Sequence, residues 1–81
     1  MQITVQFFAQ LRDLAGTSEC TITLADEATV ADLLAQLYRE YPALETWDDR
    51  ILIGAGVDFV RPDYRLRPGE SIAIMPPVQG G

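Results

Sequence analysis

The chain opens with alternating apolar and polar residues. Residues 2–8 and 20–24 each place apolar side chains at every second position, which predicts two half-buried strands that pair antiparallel. Between them, residues 9–15 have the spacing of a short helix, and Gly16 is a typical helix stop. The side chains predicted to face the core are Ile3, Val5, Phe7, Cys20, Ile22 and Leu24.

The strongest helical pattern follows Thr29. Thr29 is a good N-cap, and Asp32 three residues later completes a capping pair. Pro42 ends the helix, because proline lacks an amide hydrogen and moves the preceding residue out of the α region. The apolar face of this helix consists of Val30, Leu33, Leu34, Leu37, Tyr38 and Tyr41.

Three further strands are predicted in the second half of the chain. One long helix cannot bury its apolar face alone in water, so it should lie across one face of a mixed sheet. The element order therefore predicts an α+β fold, a β-grasp of about five strands in which the first and last strands pair. An irregular acidic stretch at residues 45–50 is followed by a strand over residues 51–55, a turn at residues 56–58 and a strand over residues 59–61. A turn at Pro68-Gly69 then leads to a strand over residues 71–75, with Ile72 and Ile74 facing the core.

Length and charge narrow the class of function. The 81 residues suffice for one domain, which we place at residues 1–75, followed by a tail at residues 76–81. Twelve acidic residues against six basic ones, all arginine, disfavour nucleic-acid binding. Without a leader pattern or an apolar run of membrane length, the chain is expected to be cytoplasmic and to bind no membrane.

Cysteine and histidine usage argues against a self-sufficient catalyst. A single cysteine excludes an internal disulfide, and a chain without histidine cannot build the usual metal or acid–base sites. Cys20 is in phase with Ile22 and Leu24, so we interpret it as a buried strand thiol rather than a sulfur relay. We therefore expect no metal site and no bound cofactor.

The tail consists of Pro76, Pro77, Val78, Gln79, Gly80 and Gly81. Two prolines cannot continue a sheet and favour a stiff extended stalk, and glycines fit a narrow channel. Six extended residues reach about 20 Å, far enough for the terminal carboxylate to enter a pocket on another protein. A carboxylate must be activated, and adenylation followed by attack of sulfide yields a thiocarboxylate whose sulfur can be transferred.

Two segments resemble a known family. Phe-Phe-Ala-Gln-Leu-Arg-Asp-Leu-Ala-Gly at residues 7–16 and Pro-Pro-Val-Gln-Gly-Gly at residues 76–81 are similar to motifs of molybdopterin synthase small subunits, which are ubiquitin-like sulfur carriers. The resemblance spans the whole chain, with Leu66 and residues 68–70 between the motifs.

The resemblance implies a function for Gly81. An adenylating enzyme would use ATP to activate its carboxylate, and the thiocarboxylate would enter a large catalytic subunit to donate sulfur to cyclic pyranopterin monophosphate. Two carriers would be consumed for each dithiolene, and the catalytic residues would belong to the large subunit. Whether the assembly is a heterotetramer stays open.

Several side chains outside the core are candidate contacts. Phe8, Phe59 and Met75 are predicted to form an exposed apolar patch beside the tail that docks both partner proteins, unless loops cover them. Arg12, inside the first motif, is a further candidate contact. We interpret the remaining candidates structurally: Arg61, Arg65 and Arg67 as solvated, Tyr41 and Trp47 as core-edge aromatics, and Asp48 and Asp49 as pointing apart.

Three other functions remain open at this level. A carrier for thiazole synthesis in thiamin production shares the β-grasp and the terminal Gly-Gly, although that family is usually shorter and lacks the Phe-Phe-Ala-Gln-Leu-Arg segment. A protein-modifying tag would transfer its activated Gly81 to a lysine of a target. An interaction domain with an inert tail would work without Gly81.

Overall fold

The computed structural model describes residues 1–77. In chain order its elements are β1 (Gln2–Phe7), α1 (Gln10–Ala15), β2 (Glu19–Thr23), α2 (Val30–Glu40), a 3-10 helix (Pro42–Trp47), β3 (Leu52–Ala55), β4 (Asp58–Phe59) and β5 (Ser71–Met75). None of the helices in this part of the chain has the length and apolarity of a membrane span.

The strands form one mixed sheet in the order β2-β1-β5-β3-β4. β1 pairs antiparallel with β2 and parallel with β5, so the first and last strands lie side by side, as predicted. β5 also pairs antiparallel with β3, which continues into the short outer strand β4. The predicted β-grasp is confirmed, with β5 at the centre of the sheet.

Local chemistry explains both ends of α2 and the end of α1. The Thr29 hydroxyl accepts from the Asp32 amide, and the Asp32 carboxylate accepts from the Thr29 amide at 2.9 Å, which completes the predicted capping box. Gly16 ends α1 in the left-handed region at φ 76°, where glycine is favoured. α2 stops before Pro42, as proline requires.

The core lies between α2 and one face of the sheet. Burial alternates along β1 and β5, and the helix contributes the apolar stripe predicted for it, except that Tyr38 and Tyr41 are only half-buried. Tyr41 packs edge-on against Phe7, with ring centroids 5.6 Å apart. The fully buried large side chains are Ile3, Val5, Leu11, Val30, Leu33, Leu37, Leu44, Ile72 and Ile74.

Two segments differ from the prediction by more than a shift of one residue at an end. The stretch after Pro42 is a 3-10 helix rather than irregular chain, because proline starts a helical turn and Leu44 is buried in the core. The outer strand is Asp58–Phe59, one residue earlier and one residue shorter than predicted at residues 59–61. It starts at Asp58 because the tight two-residue turn at Gly56, whose φ is 64°, places Asp58 opposite Ala55.

Candidate functional site

The predicted working end of the chain lies largely outside the described residues. Gly81 falls outside them, as do Gly80, Gln79 and Val78 of the predicted stalk. Pro76 and Pro77 are described: they follow β5 directly, belong to no strand and are half-buried. Because β5 is the central strand, the chain leaves the sheet between the carboxyl end of β1 and the start of β3.

Strand register places the predicted patch residues on one face. Phe8 directly follows β1, and Met75 ends β5. Each is out of phase with the buried residue before it, Phe7 or Ile74, so both side chains point away from α2. Phe59 of the neighbouring hairpin pairs with Gly54, which is in phase with Ala73 of β5. The side chains predicted from sequence therefore share the open face of the sheet.

These residues are joined by three that sequence reasoning missed. Leu52 of β3 lies opposite Met75 of β5. Gly54 of β3 pairs with Ala73 of β5 on one side and with Phe59 of β4 on the other. We call the six the apolar strip: Phe8, Leu52, Gly54, Phe59, Ala73 and Met75. Phe8 is 45% exposed and Phe59 is 67% exposed, whereas Met75 is half-buried rather than exposed as predicted. Met75 is partly covered because it stands on a central strand between two neighbours.

The rest of the open face carries almost no charge. Among the residues that the five strands direct to this face, Glu19 at the outer edge is the one ionisable side chain. The others around the strip are the polar but uncharged Gln2, Thr4, Gln6, Thr21, Thr23 and Ser71. In a chain with 18 charged residues, an apolar strip within an uncharged surround has the composition of a protein–protein interface.

Arg12 is exposed on α1, four residues beyond Phe8. None of the ion pairs within residues 1–77 includes it. The structure therefore leaves its guanidinium accessible, but gives it no contact that joins it to the apolar strip.

Cys20 faces the helix side of β2, as predicted, but it is half-buried rather than buried because β2 is an outer strand. Desolvation by burial raises the pKa of its thiol. A hydrogen bond with Tyr41 lowers the pKa and the Glu40 and Glu19 carboxylates raise it, so the net change is upward. A thiol with a raised pKa is mostly protonated at neutral pH and is a poor sulfur acceptor. This environment supports a packing role.

The remaining candidates make structural contacts. Trp47 packs at the edge of the core and lies 4.4 Å from the Arg50 guanidinium. Asp48 accepts a hydrogen bond from the Tyr38 hydroxyl, whereas Asp49 pairs with Arg50 at 3.5 Å, so the adjacent carboxylates have separate partners. Arg61, Arg65 and Arg67 are all exposed, in agreement with the sequence interpretation.

The chain is similar to a protein family, to individual related sequences and to solved structures. The model of the ThiS family matches residues 5–81. The chain is 40% identical to a molybdopterin synthase sulfur carrier subunit of Chlamydomonas reinhardtii over the full length of both, and 41% identical to that of Escherichia coli over 98% of this chain and 99% of the relative. The solution structure of small archaeal modifier protein 1 from Methanosarcina acetivorans matches with a TM-score of 0.79 and 32% identity, covering 99% of this chain and 96% of that one.

Proposed function

The chain belongs to the ThiS family, and we propose that it is the sulfur carrier subunit of a molybdopterin synthase, with Gly81 as the residue that carries sulfur. The observation that supports this most strongly is the 40% identity, over the full length of both chains, to a relative with that role. The ending Pro-Pro-Val-Gln-Gly-Gly supplies the chemical group that the role requires.

The proposed loading of sulfur takes two steps. The Gly81 carboxylate attacks the α-phosphorus of ATP on an adenylating enzyme, and pyrophosphate leaves. Sulfide then attacks the acyl carbon, and AMP leaves as the acyl C–O bond breaks. If a persulfide attacks instead, the product is an acyl disulfide, and a thiol of the donor protein reduces its S–S bond to release the thiocarboxylate. The product is a thiocarboxylate, and neither step needs a nucleophile or base from this chain.

The proposed transfer takes place in the large subunit. The thiocarboxylate sulfur bonds to a carbon of cyclic pyranopterin monophosphate, and a bond from that carbon to oxygen breaks so that the oxygen group leaves. Water then cleaves the acyl–sulfur bond to restore the Gly81 carboxylate. A dithiolene contains two sulfurs, so two carriers are used per molybdopterin. We place this reaction sequence in the cytoplasm, the compartment expected from the sequence.

The geometry around β5 supports such a transfer. The chain leaves the sheet at Pro76 and Pro77, beside the end of β1 where Phe8 lies. A partner that binds the apolar strip is thereby positioned over the start of the tail and can receive it in a pocket. We propose that the adenylating enzyme and the large subunit both bind here, one after the other, with Arg12 as an added polar contact.

Intact mass spectrometry tests the proposal. The full chain is incubated with ATP, sulfide and a cognate adenylating enzyme, and replacement of one oxygen by sulfur should add about 16 Da to the C-terminal fragment alone. A variant that lacks Gly81 is the matched control, since it keeps residues 1–80 and should gain no mass. If the intact chain gains none from an enzyme that loads another carrier, the proposal fails for that pair.

A second reaction tests which sulfur pathway the loaded carrier serves. Mixed with a molybdopterin synthase large subunit and cyclic pyranopterin monophosphate, it should yield molybdopterin and return to its original mass. If it is discharged only by a thiazole-forming enzyme, the thiamin-type carrier is the correct function.

Protein modification is a second candidate, favoured by the likeness to small archaeal modifier protein 1. In that case the activated Gly81 would form an amide with a lysine of a target protein, with AMP as the leaving group. Incubation with the adenylating enzyme and a cell lysate should then produce higher-mass conjugates of the chain. An inert tail predicts neither conjugates nor a thiocarboxylate.

A further inference from the structure

The outer edge of β2 has backbone groups that face away from the sheet. Met1 and Leu24 exchange backbone hydrogen bonds with each other, and the Phe7 amide donates to the Ser18 carbonyl at 2.9 Å. In an antiparallel pair, such bonded positions alternate with positions whose N–H and C=O groups point outward. The register therefore turns the backbone groups of Glu19, Thr21 and Thr23 away from β1.

One of these three positions is already capped. The Thr17 hydroxyl donates to the Glu19 carbonyl at 2.9 Å and accepts from the Glu19 amide at 3.4 Å. Within residues 1–77, the outward groups of Thr21 and Thr23 have no such partner. Two N–H donors and two C=O acceptors consequently remain available along this edge.

The two edges of the sheet differ in how they are protected. β4, the other outer strand, has only two residues and offers little backbone to a neighbour. β2 has five residues and lacks the lysine or proline that commonly blocks an exposed edge. An accessible edge of this length is suited to receive an added strand.

The charge of the side chains near this edge determines which kind of peptide segment can bind as an added strand. Glu19 is exposed at the start of β2 and Glu40 is exposed at the end of α2, which contacts β2, and neither takes part in an ion pair within residues 1–77. A second copy of this chain is disfavoured because each copy has a net charge of −6. A basic segment is attracted instead.

We propose that the edge of β2 binds an extended, basic segment of a partner protein by strand addition, with the outward backbone groups of Thr21 and Thr23 as its anchors. Alternate side chains of the added strand lie on the two faces. One set contacts the half-buried Cys20 and Leu24, and the other places its positive charges beside Glu19.

This site is separate from the apolar strip. β1 and β5 lie in the middle of the sheet, and β2 is two strands away from β5 on the side opposite β3 and β4. Phe8, which follows β1, is the strip residue nearest to this edge, but Thr21 and Thr23 pair with Thr4 and Gln2, so they lie at least about 13 Å from Phe8 along the strand direction. A partner on the strip and a segment on the edge can therefore bind at the same time, so the inference does not depend on the sulfur-carrier proposal.

Nuclear magnetic resonance titration of the full chain tests the inference. The probe is a blocked heptapeptide of alternating arginine and valine, and its glutamate–valine counterpart is the charge control. The amides of Thr21 and Thr23 should shift and become protected from hydrogen exchange, whereas the inward amides of Cys20 and Ile22 should stay as protected as before. Equal binding of the acidic peptide, or shifts confined to other strands, overturns the proposal.

Three variants distinguish binding through the backbone groups of this edge from binding through its side chains. Thr21→Pro removes one outward N–H and should weaken binding at least about tenfold, whereas Thr21→Ala keeps that N–H and should bind within about twofold of the native chain. Thr17→Ala frees the backbone groups of Glu19 and should tighten binding. Unchanged affinity in both Thr21→Pro and Thr17→Ala contradicts strand addition, and the second variant decides if the first does not fold.

Discussion

The methyl carbon of Met75 lies 3.3 Å from the point that a β-carbon on Gly54 would occupy. The two residues belong to neighbouring strands, and the missing side chain of Gly54 leaves the space into which Met75 extends across the open face. This relationship connects the shape of the apolar strip to a single glycine of β3.

Gly54→Ala should change binding more than stability. Because the atom it displaces is the flexible end of Met75, the free energy of unfolding should fall by less than about 1 kcal/mol, while affinity for the large subunit falls several-fold. Gly56→Ala is the matched control: no atom lies within 4 Å, but its φ of +64° should cost about 1 kcal/mol without changing affinity. Urea denaturation and calorimetric titration measure the two effects, and equal affinity for both variants would contradict the role assigned to Met75.

Phe59→Ser should weaken association with the large subunit at least about tenfold, because an aromatic side chain that becomes buried in an interface supplies much of its binding energy. The melting temperature should stay within about 2 °C, since the ring is 67% exposed in the free chain. Val57→Ser, at a fully exposed apolar residue in the adjacent turn, is the comparison. An interface elsewhere on the molecule would leave Phe59→Ser as active as Val57→Ser.

Ala9→Gly should stabilise the fold. Ala9 has φ 51° and ψ −132°, a backbone conformation that glycine adopts readily and alanine does not. Relief of that strain exceeds the entropic cost of glycine, so the free energy of unfolding should rise by about 1 kcal/mol. The same change at Ala35, exposed in α2, should instead lower it by about 1 kcal/mol. Urea denaturation of both variants measures the two changes in the free energy of unfolding. A decrease in both variants would show that Ala9 is not strained.

Stability should decrease as the pH rises above 10. The hydrogen bond from the Tyr64 hydroxyl to Glu70, 2.6 Å long, raises the pKa of Tyr64 above its ordinary value of 10.0. The unfolded chain therefore loses its tyrosine proton first, and the stabilisation present below pH 10 is lost as the pH passes that value. Tyr64→Phe should make the alkaline loss shallower, but not abolish it, since burial also raises the pKa of Tyr38. Denaturation midpoints between pH 8 and pH 11 provide the measurement, and a Tyr64→Phe curve as steep as that of the native chain would exclude this contribution.

Local sequence predicts most of the elements of this fold, because their causes are local. The capping box at Thr29 and Asp32, the stop at Pro42 and the alternation in β1 each depend on residues within a few positions. The 3-10 helix was missed because its single buried residue, Leu44, leaves no periodic signal.

In the candidate site, too, some features follow from the sequence and others depend on the tertiary structure. The sequence alone determines a chain that ends in Gly-Gly after two prolines, a half-buried first strand and an exposed Phe8 out of phase with it. Only the tertiary structure decides that Leu52, Gly54 and Ala73 join Phe8, Phe59 and Met75 in one strip, and that the edge of β2 is open. Strand neighbours are chosen by packing between residues far apart in the chain, and no local pattern specifies that choice.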